Sequence, residues 1–359
     1  MSLEASNAPL IDRIKRQIAI DGPIGIAEYM SICLGDVHAG YYTTAQPFGR
    51  EGDFITAPEI SQMFGELIGI WCVSMWRDMG EPAKFNLVEM GPGRGTLMAD
   101  LLRASAIDAG FSKAAQVYLV EISSSLREQQ AYVLSKFDVQ VDWLDNIQEA
   151  GLLPTIFIGN EFLDALPFRQ YVKSGSRWGE RVISVENDLL TYSIGPGLLD
   201  PSLLPIGHGD QPDGAIFEIS HAREAVMEYI AQHLSVHKGA ALLIDYGHNE
   251  SDFGDTFQAV AKHKFADPLE SPGKVDLTSH VDFSAFRKHF LKGSKFELLT
   301  QTEFLLNLGL LERAGSLGWG KSKEEQNDIE QAVERLAGSD TMGELFKVLV
   351  AYNDGIVKQ

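Results

Sequence analysis

The chain has 359 residues, of which 45% are hydrophobic, 22% charged and 9% aromatic, a globular composition that excludes disordered, collagen-like and coiled-coil chains. Its 30 basic residues face 50 acidic ones, giving a net charge of −20. Such a surface repels phosphate backbones and disfavours a general nucleic-acid binder.

In chain order, Pro9 to Ile20 set Leu10, Ile11, Ile14 and Ile18 on one helical face, and Asp21-Gly22-Pro23 ends the helix. A second helical stretch, Ile26 to Leu34, precedes a loop rich in Gly, Tyr and Pro from Gly35 to Pro58. A third helix is expected to begin near Thr56, with Thr56 as its cap and Glu59 three residues on, before Ile60, Phe64, Leu67, Ile68 and Trp71. Residues 1–84 thus read as an N-terminal helical extension. Cys33 and Cys72 form no C-x-x-C pair and lie in apolar stretches, so buried thiols and a reducing compartment are expected. No segment approaches the ~20 apolar residues of a membrane span; the run Ile60 to Trp76 contains Glu66. Glu4 and Asp12 in a terminus without an apolar core give no sign of a secretory signal.

From Phe85 the rhythm changes. Strand-like runs Phe85–Met90, Val117–Glu121, Val139–Val141, Ile156–Gly159 and Ala240–Asp245 alternate with helical patterns at Thr96–Ala104, Ser125–Phe137 and Ala222–Leu234. Strands apolar on both faces and joined by crossover helices form parallel sheets. Phe296–Thr300 and Phe346–Tyr352 would complete seven strands. Tyr171–Lys173, Arg181–Glu186 and Leu190–Ile194, separated by turn clusters, predict antiparallel hairpins. The expected fold is therefore α/β and doubly wound: a mostly parallel seven-stranded sheet over residues 85–359, with a β-hairpin insertion at about 169–215.

The sharpest motif is Glu89-Met90-Gly91-Pro92-Gly93-Arg94-Gly95, which follows a strand and opens a helix. Glycines there let the backbone turn tightly and approach a ligand. A dinucleotide fingerprint needs G-x-G-x-x-G, and here the third glycine falls at the wrong spacing. The pattern E-x-G-x-G-x-G suits S-adenosylmethionine, whose ammonium and sulfonium match Glu89, whereas a pyrophosphate would be repelled by it. Glu121, 26 positions after Gly95, can accept both ribose hydroxyls at the end of the second strand. Asp142-Trp143, just past the expected third strand, falls where an adenine would stack; the alternative is a turn acid beside a core tryptophan. Thr56 and Pro58, at a helix N-terminus, either cap that helix or receive the donor's carboxylate.

At the fourth strand, Asn160 and Glu161 either cap the next helix or point into the crevice expected at the carboxyl ends of the strands. His233 and His237 lie four apart without a third ligand nearby, so a solvated helix end is expected and no metal site. His280 either caps the following helix or lines the crevice. No G-x-S-x-G, P-loop or cysteine cluster supports hydrolase, NTPase or zinc chemistry.

Together these residues resemble the MidA family, which includes the mitochondrial complex I assembly-factor protein-arginine methyltransferase. The resemblance rests on Asp21–Ile24, Gly40–Tyr42, Gly52–Ser61, Gly91–Leu102, Asn160–Phe168, Ile244–Gly247, Asp276–Phe283 and Met342–Lys347, and spans about Asp21 to Val350. It implies a class I methyltransferase fold and an arginine acceptor in a respiratory NADH dehydrogenase subunit. It also implies a setting in the cytoplasm for a bacterial chain and in the mitochondrial matrix otherwise. A guanidinium is planar, cationic and held best by carboxylates. On that reading Glu161 orients the acceptor, Asp164 assists or positions its loop, and Asn160 adds a neutral hydrogen bond. Two other classes stay open: a binding or assembly protein that keeps the cofactor fold and chaperones a partner, and a nicotinamide-dependent oxidoreductase.

Overall fold

The computed structural model describes residues 8–44, 56–261, 264–290 and 294–353, so Gly52–Ile55 of the motif above lie outside it. The chain divides into two units. One comprises Ile55–Leu163, Val226–Glu250 and Val281–Gln359; the other comprises Met1–Phe54, Asp164–Ala225 and Ser251–His280.

The first of these units is built on a sheet whose main strands we label β1 (Phe85–Met90), β2 (Ala115–Val120), β3 (Val141–Leu144), β4 (Thr155–Asn160), β5 (Gly239–His248), β6 (Ser294–Thr300) and β7 (Phe346–Asn353). Their order is β6-β7-β5-β4-β1-β2-β3, and Val281–Asp282 adds a short parallel pairing at the end of β5. β1, β2, β3, β4 and β5 pair in parallel, while β7 runs antiparallel to both β5 and β6. Every residue of β1 and β4 is buried, which is why both read as mainly apolar runs in which Glu89 and Asn160 stand out. The chain passes from β1 outward to β2 and β3, then returns to β4 on the other side of β1. That reversal makes a topological switch point at the carboxyl ends of β1 and β4, the place where open α/β sheets bind ligands.

Helix Gln62–Asp78 packs against helix Thr96–Ser105 through two glycines on one face. A Cβ on Gly65 would lie 2.6 Å from Asp100 Cβ, and one on Gly69 would lie 2.7 Å from the Leu101 carbonyl oxygen. The helix starts later than expected. Ser61, whose Oγ accepts the Met63 N–H at 3.3 Å, caps it. Thr56 precedes only the single turn Ala57–Ile60 and makes no side-chain cap bond. Helices Gln301–Asn307, Leu310–Gly318 and Lys323–Ala337 fill the span between β6 and β7. Thr300 with Glu303 and Ser322 with Glu325 form capping boxes there, a signal present in the sequence that the strand rhythm overlooked.

The other unit carries helices Leu10–Asp21 and Ile26–Gly35 and an antiparallel sheet with strands Arg169–Ser174, Arg177–Glu186, Leu189–Leu198 and Ile216–Ile219. Ile24–Gly25 pairs with Arg177–Glu186, and a small sheet of Gln258–Ala261, Lys264–Ala266 and Asp276–Thr278 completes the unit. The hairpins fall where the turn clusters put them, but the boundaries differ from those expected. Leu10, Ile14 and Ile18 share one core with Ile183, Leu190, Phe257 and Leu277, so the first helices belong with the β segment. Met63, Phe64, Leu67, Ile68 and Trp71 are instead in the core of the large sheet. The expected extension 1–84 is therefore divided between two cores. No helix among the described residues is long and apolar enough to cross a membrane.

Candidate active site

The glycine loop leaves β1 with Gly91, Gly93 and Gly95 at φ +63°, +53° and +81°, a region where a Cβ is penalised. A Cβ on Gly91 would also approach Phe162 Cδ2 to 3.0 Å. Gly95 is the N-cap of helix Thr96–Ser105, so the loop ends on free backbone N–H groups. Glu89 is buried within β1, and its Oε2 has no hydrogen-bond partner among the described residues. Loss of solvent pushes its carboxyl up to about 8. An orphaned buried acid beside a glycine cradle fits a cationic ligand group better than a phosphate.

Glu121 stands directly after β2. Its Oε1 accepts the Ser123 N–H at 2.8 Å and its Oε2 accepts Gln130 Nε2 at 3.3 Å. Burial raises its carboxyl above the ordinary value, opposed by those two bonds, by the Ile122 N–H and by the Arg127 charge. Gln130 also donates to the Gly93 carbonyl at 2.7 Å and accepts Trp143 Nε1–H at 2.8 Å. Sequence reasoning missed Gln130. Its signal was a polar residue four positions from both Leu126 and Leu134, in the buried stripe of helix Ser124–Leu134.

The third strand is Val141–Leu144 rather than Val139–Val141, so Asp142 and Trp143 lie inside it instead of past its end. Asp142 is exposed on this outermost strand, and its carboxylate accepts only Gln140 Nε2, at 3.3 Å to each oxygen, among the bonds described. Trp143 is partly buried and turned toward Gln130. The residues that follow the strand, Asp145 and Asn146, are engaged by Arg127 and by the N-terminus of the short helix Ile147–Ala150.

At the end of β4, Asn160 is buried and its Oδ1 lacks a partner among the described residues. Its Nδ2 donates to Glu161 Oε1 at 3.0 Å. Glu161 holds φ +50°, rare for a side chain with a Cβ, and the same Oε1 accepts the Ala57 N–H at 3.2 Å. The following backbone is pinned to β5: the Glu161 N–H donates to the Ile244 carbonyl at 2.9 Å and the Leu163 N–H to Asp245 Oδ2 at 2.9 Å. Glu59, expected in a capping box, instead accepts Thr96 Oγ1 at 2.6 Å and Arg94 Nη1 at 3.4 Å. The turn that includes Thr56 and Pro58 is thereby fastened to the glycine loop. Because Glu161 already occupies its first N–H, that turn is a poor receiver for a second carboxylate.

Asp164 is the first residue of the other unit's segment Asp164–Ala225, whereas Asn160 and Glu161 belong to the sheet unit. It is buried there, and its carbonyl accepts the Ser279 N–H and Arg223 Nη2, each at 3.2 Å. Arg223 donates as well to the His280 carbonyl at 2.8 Å and to Ser279 Oγ at 2.6 Å, a lattice that shapes this loop. His233, expected at a solvated helix end, is buried with Nε2 3.1 Å from the Leu153 carbonyl, edge-on to Phe157, and desolvation lowers its pKa. Among the described residues no group of His, Cys, Asp and Glu side chains could hold a metal ion.

Residues 67–300 match the family model of S-adenosyl-L-methionine-dependent methyltransferases. The chain is 34% identical over 367 residues to the mitochondrial protein arginine methyltransferase NDUFAF7 of Homo sapiens, covering 94% of this chain and 82% of that one. It is 31% identical to the Danio rerio protein of the same description, covering 100% of this chain and 90% of the other. A solved structure from Burkholderia thailandensis, with S-adenosyl-homocysteine bound, superposes with a TM-score of 0.82 at 27% identity, covering 99% of this chain and 95% of that one.

Proposed function

Since the chain belongs to the S-adenosyl-L-methionine-dependent methyltransferase family, we propose that it transfers the donor's methyl group to an arginine of a protein acceptor. We further propose that this acceptor is a subunit of a respiratory NADH dehydrogenase. The relatives are described as mitochondrial, which favours a matrix setting for this reading; a bacterial chain would do the same work in the cytoplasm.

Bound in the crevice, the donor supplies an electrophilic methyl on a sulfonium. The glycine loop gives it room, Glu89 meets its ammonium, Glu121 receives the ribose hydroxyls, and Trp143 lies on the adenine side. Transfer is an in-line displacement, in which the enzyme aligns the nucleophile and excludes water. The acceptor's nitrogen forms the N–C bond as the S–C bond breaks, the pair goes to sulfur, and the guanidinium sheds one proton. A guanidinium is almost never deprotonated in water, so a fixed carboxylate is needed to orient it and draw its charge from the attacking nitrogen.

The observation that carries this reading is Glu161: a carboxylate locked in a costly backbone conformation at the end of β4, beside Asn160 Oδ1, which has no partner among the described residues. Asn160 supplies the neutral hydrogen bond, and Asp164 shapes the loop that follows. Glu161→Gln keeps the shape and removes the charge. It should leave donor affinity intact and cut methyl transfer by at least about a hundredfold, since charge-assisted bonds contribute ~1.5–3 kcal/mol each. The assay is single-turnover transfer of labelled methyl to the acceptor subunit, with acid hydrolysis to identify methylarginine. Undiminished transfer by the variant removes Glu161 from the mechanism; label on another side chain refutes the arginine acceptor.

A further inference from the structure

We infer that Gln130 is the positioning residue that sets the ribose specificity of the donor site, by holding Glu121, the glycine loop and Trp143 in one register. The inference rests on the donor-site reading above and extends it to a residue that never meets the reacting atoms.

The orientation of its amide follows from its neighbours. An indole N–H can only donate, so the atom facing Trp143 Nε1 at 2.8 Å must be Oε1. A backbone carbonyl only accepts and a carboxylate oxygen does the same, so the atom facing Gly93 O at 2.7 Å and Glu121 Oε2 at 3.3 Å is the amide nitrogen. Both N–H bonds are used, on two different segments, and the side chain is fully buried. A glutamate there would set an acceptor against two acceptors. Methionine would match the length and make none of the three bonds.

The bridge needs the helix close to the loop. A Cβ at Gly95 would already touch Gln130 Cγ at 3.4 Å, so the two segments are in van der Waals contact. With one oxygen of Glu121 held by the Ser123 N–H and the other by Gln130, the carboxylate has one rotamer, and ribose hydroxyls meet it without further ordering. Without Gln130 the carboxylate keeps only backbone anchors from Ser123 and Ile122, on its own turn, and the Gly93 carbonyl and the indole each lose a partner.

The test compares binding of S-adenosylhomocysteine with that of its 2′-deoxy counterpart by calorimetry, in the full chain. The wild type should prefer the ribose form at least about tenfold. Gln130→Met should weaken the ribose form about tenfold and bring the preference down to about twofold or less. In steady-state assays it should raise KM for the donor while leaving kcat and the acceptor's KM nearly unchanged. Glu121→Gln should show the same collapse of preference, and adding Gln130→Met to it should change the preference no further. If both ligands weaken equally in Gln130→Met, or neither does, the inference is overturned. Should Gln130→Met fail to fold, Gln130→Asn keeps the amide one methylene short of the bridge, and the same preference ratio decides. Wild-type protein that binds neither ligand overturns the donor-site reading itself.

Discussion

At Glu89 a single residue carries a burial cost that the proposed donor site would use. Its side chain sits in a strand buried on both faces, and nothing among the described residues satisfies Oε2. Burial therefore moves its carboxyl from an ordinary 4.5 to about 8. The unfolded chain loses this proton near the ordinary value and the folded chain only near 8. Stability from this group is thus full at low pH, falls as pH rises through that window, and levels off above it. Thermal unfolding from pH 5 to 8 should show wild type losing ground steadily against Glu89→Gln, which has no proton to lose. Glu121 is shifted in the same direction by its own burial, so some slope remains in the variant. On the proposed role of Glu89, binding reverses the preference, because the donor's ammonium would stabilise the carboxylate. Calorimetry near pH 7 in two buffers of different ionisation enthalpy should reveal proton release by wild type that Glu89→Gln lacks.

Between elements, the decisive contact is the crossing of helices Gln62–Asp78 and Thr96–Ser105. Gly65 and Gly69 allow it, and the second helix begins in the glycine loop. Even Gly69→Ala sets a methyl 2.7 Å from a backbone carbonyl that cannot rotate away. Overpacking of this kind costs roughly 1–3 kcal/mol. We expect a lower Tm together with weaker donor binding, because the helix can yield only by shifting its N-terminus. A Tm loss with unchanged affinity would show that the loop is held independently of the crossing. Glu66 fastens a third helix to the same pair: it accepts Arg313 Nε at 2.7 Å and Arg103 Nη2 at 3.1 Å, and these pairs lower its pKa against burial.

Over the whole molecule, the net charge of −20 acts beyond any contact. A field of that sign draws in a cationic acceptor and is screened over ~8 Å at physiological ionic strength. For an arginine-bearing acceptor, kcat/KM should fall severalfold as salt rises from low to physiological strength, while donor affinity changes little. A salt-independent rate would mean that the acceptor is captured by local contacts alone. The same scale explains the two cores. Helices near the N-terminus share a core with an antiparallel sheet whose strands come from residues 169–219, so Ile18 and Phe64, both within the first 84 residues, end in different interiors.

The sequence by itself determined the parallel sheet, its seven strands and the glycine loop, because those signals are local. Strands buried on both faces are mainly apolar, and a loop that holds positive φ at three alternate positions favours glycine there. It also determined Glu89, Glu121, Asn160 and Glu161 as candidates, since strand ends are readable as the point where an apolar run meets a carboxylate or amide. Other features lay beyond it. The helix after Thr56 started at Ser61 because an N-cap bond depends on where the side chain points, and Glu59 was drawn to Thr96 and Arg94. The third strand ran two residues later because an outermost, half-exposed strand has a weak apolar pattern and takes its register from β2. Only the tertiary structure joined Gln130 to Gly93, Glu121 and Trp143, since a buried amide is chosen by partners far away in sequence. Asp164 went to the second unit for a like reason: its carbonyl meets Arg223 and Ser279, and no pattern within the β4 loop encodes them.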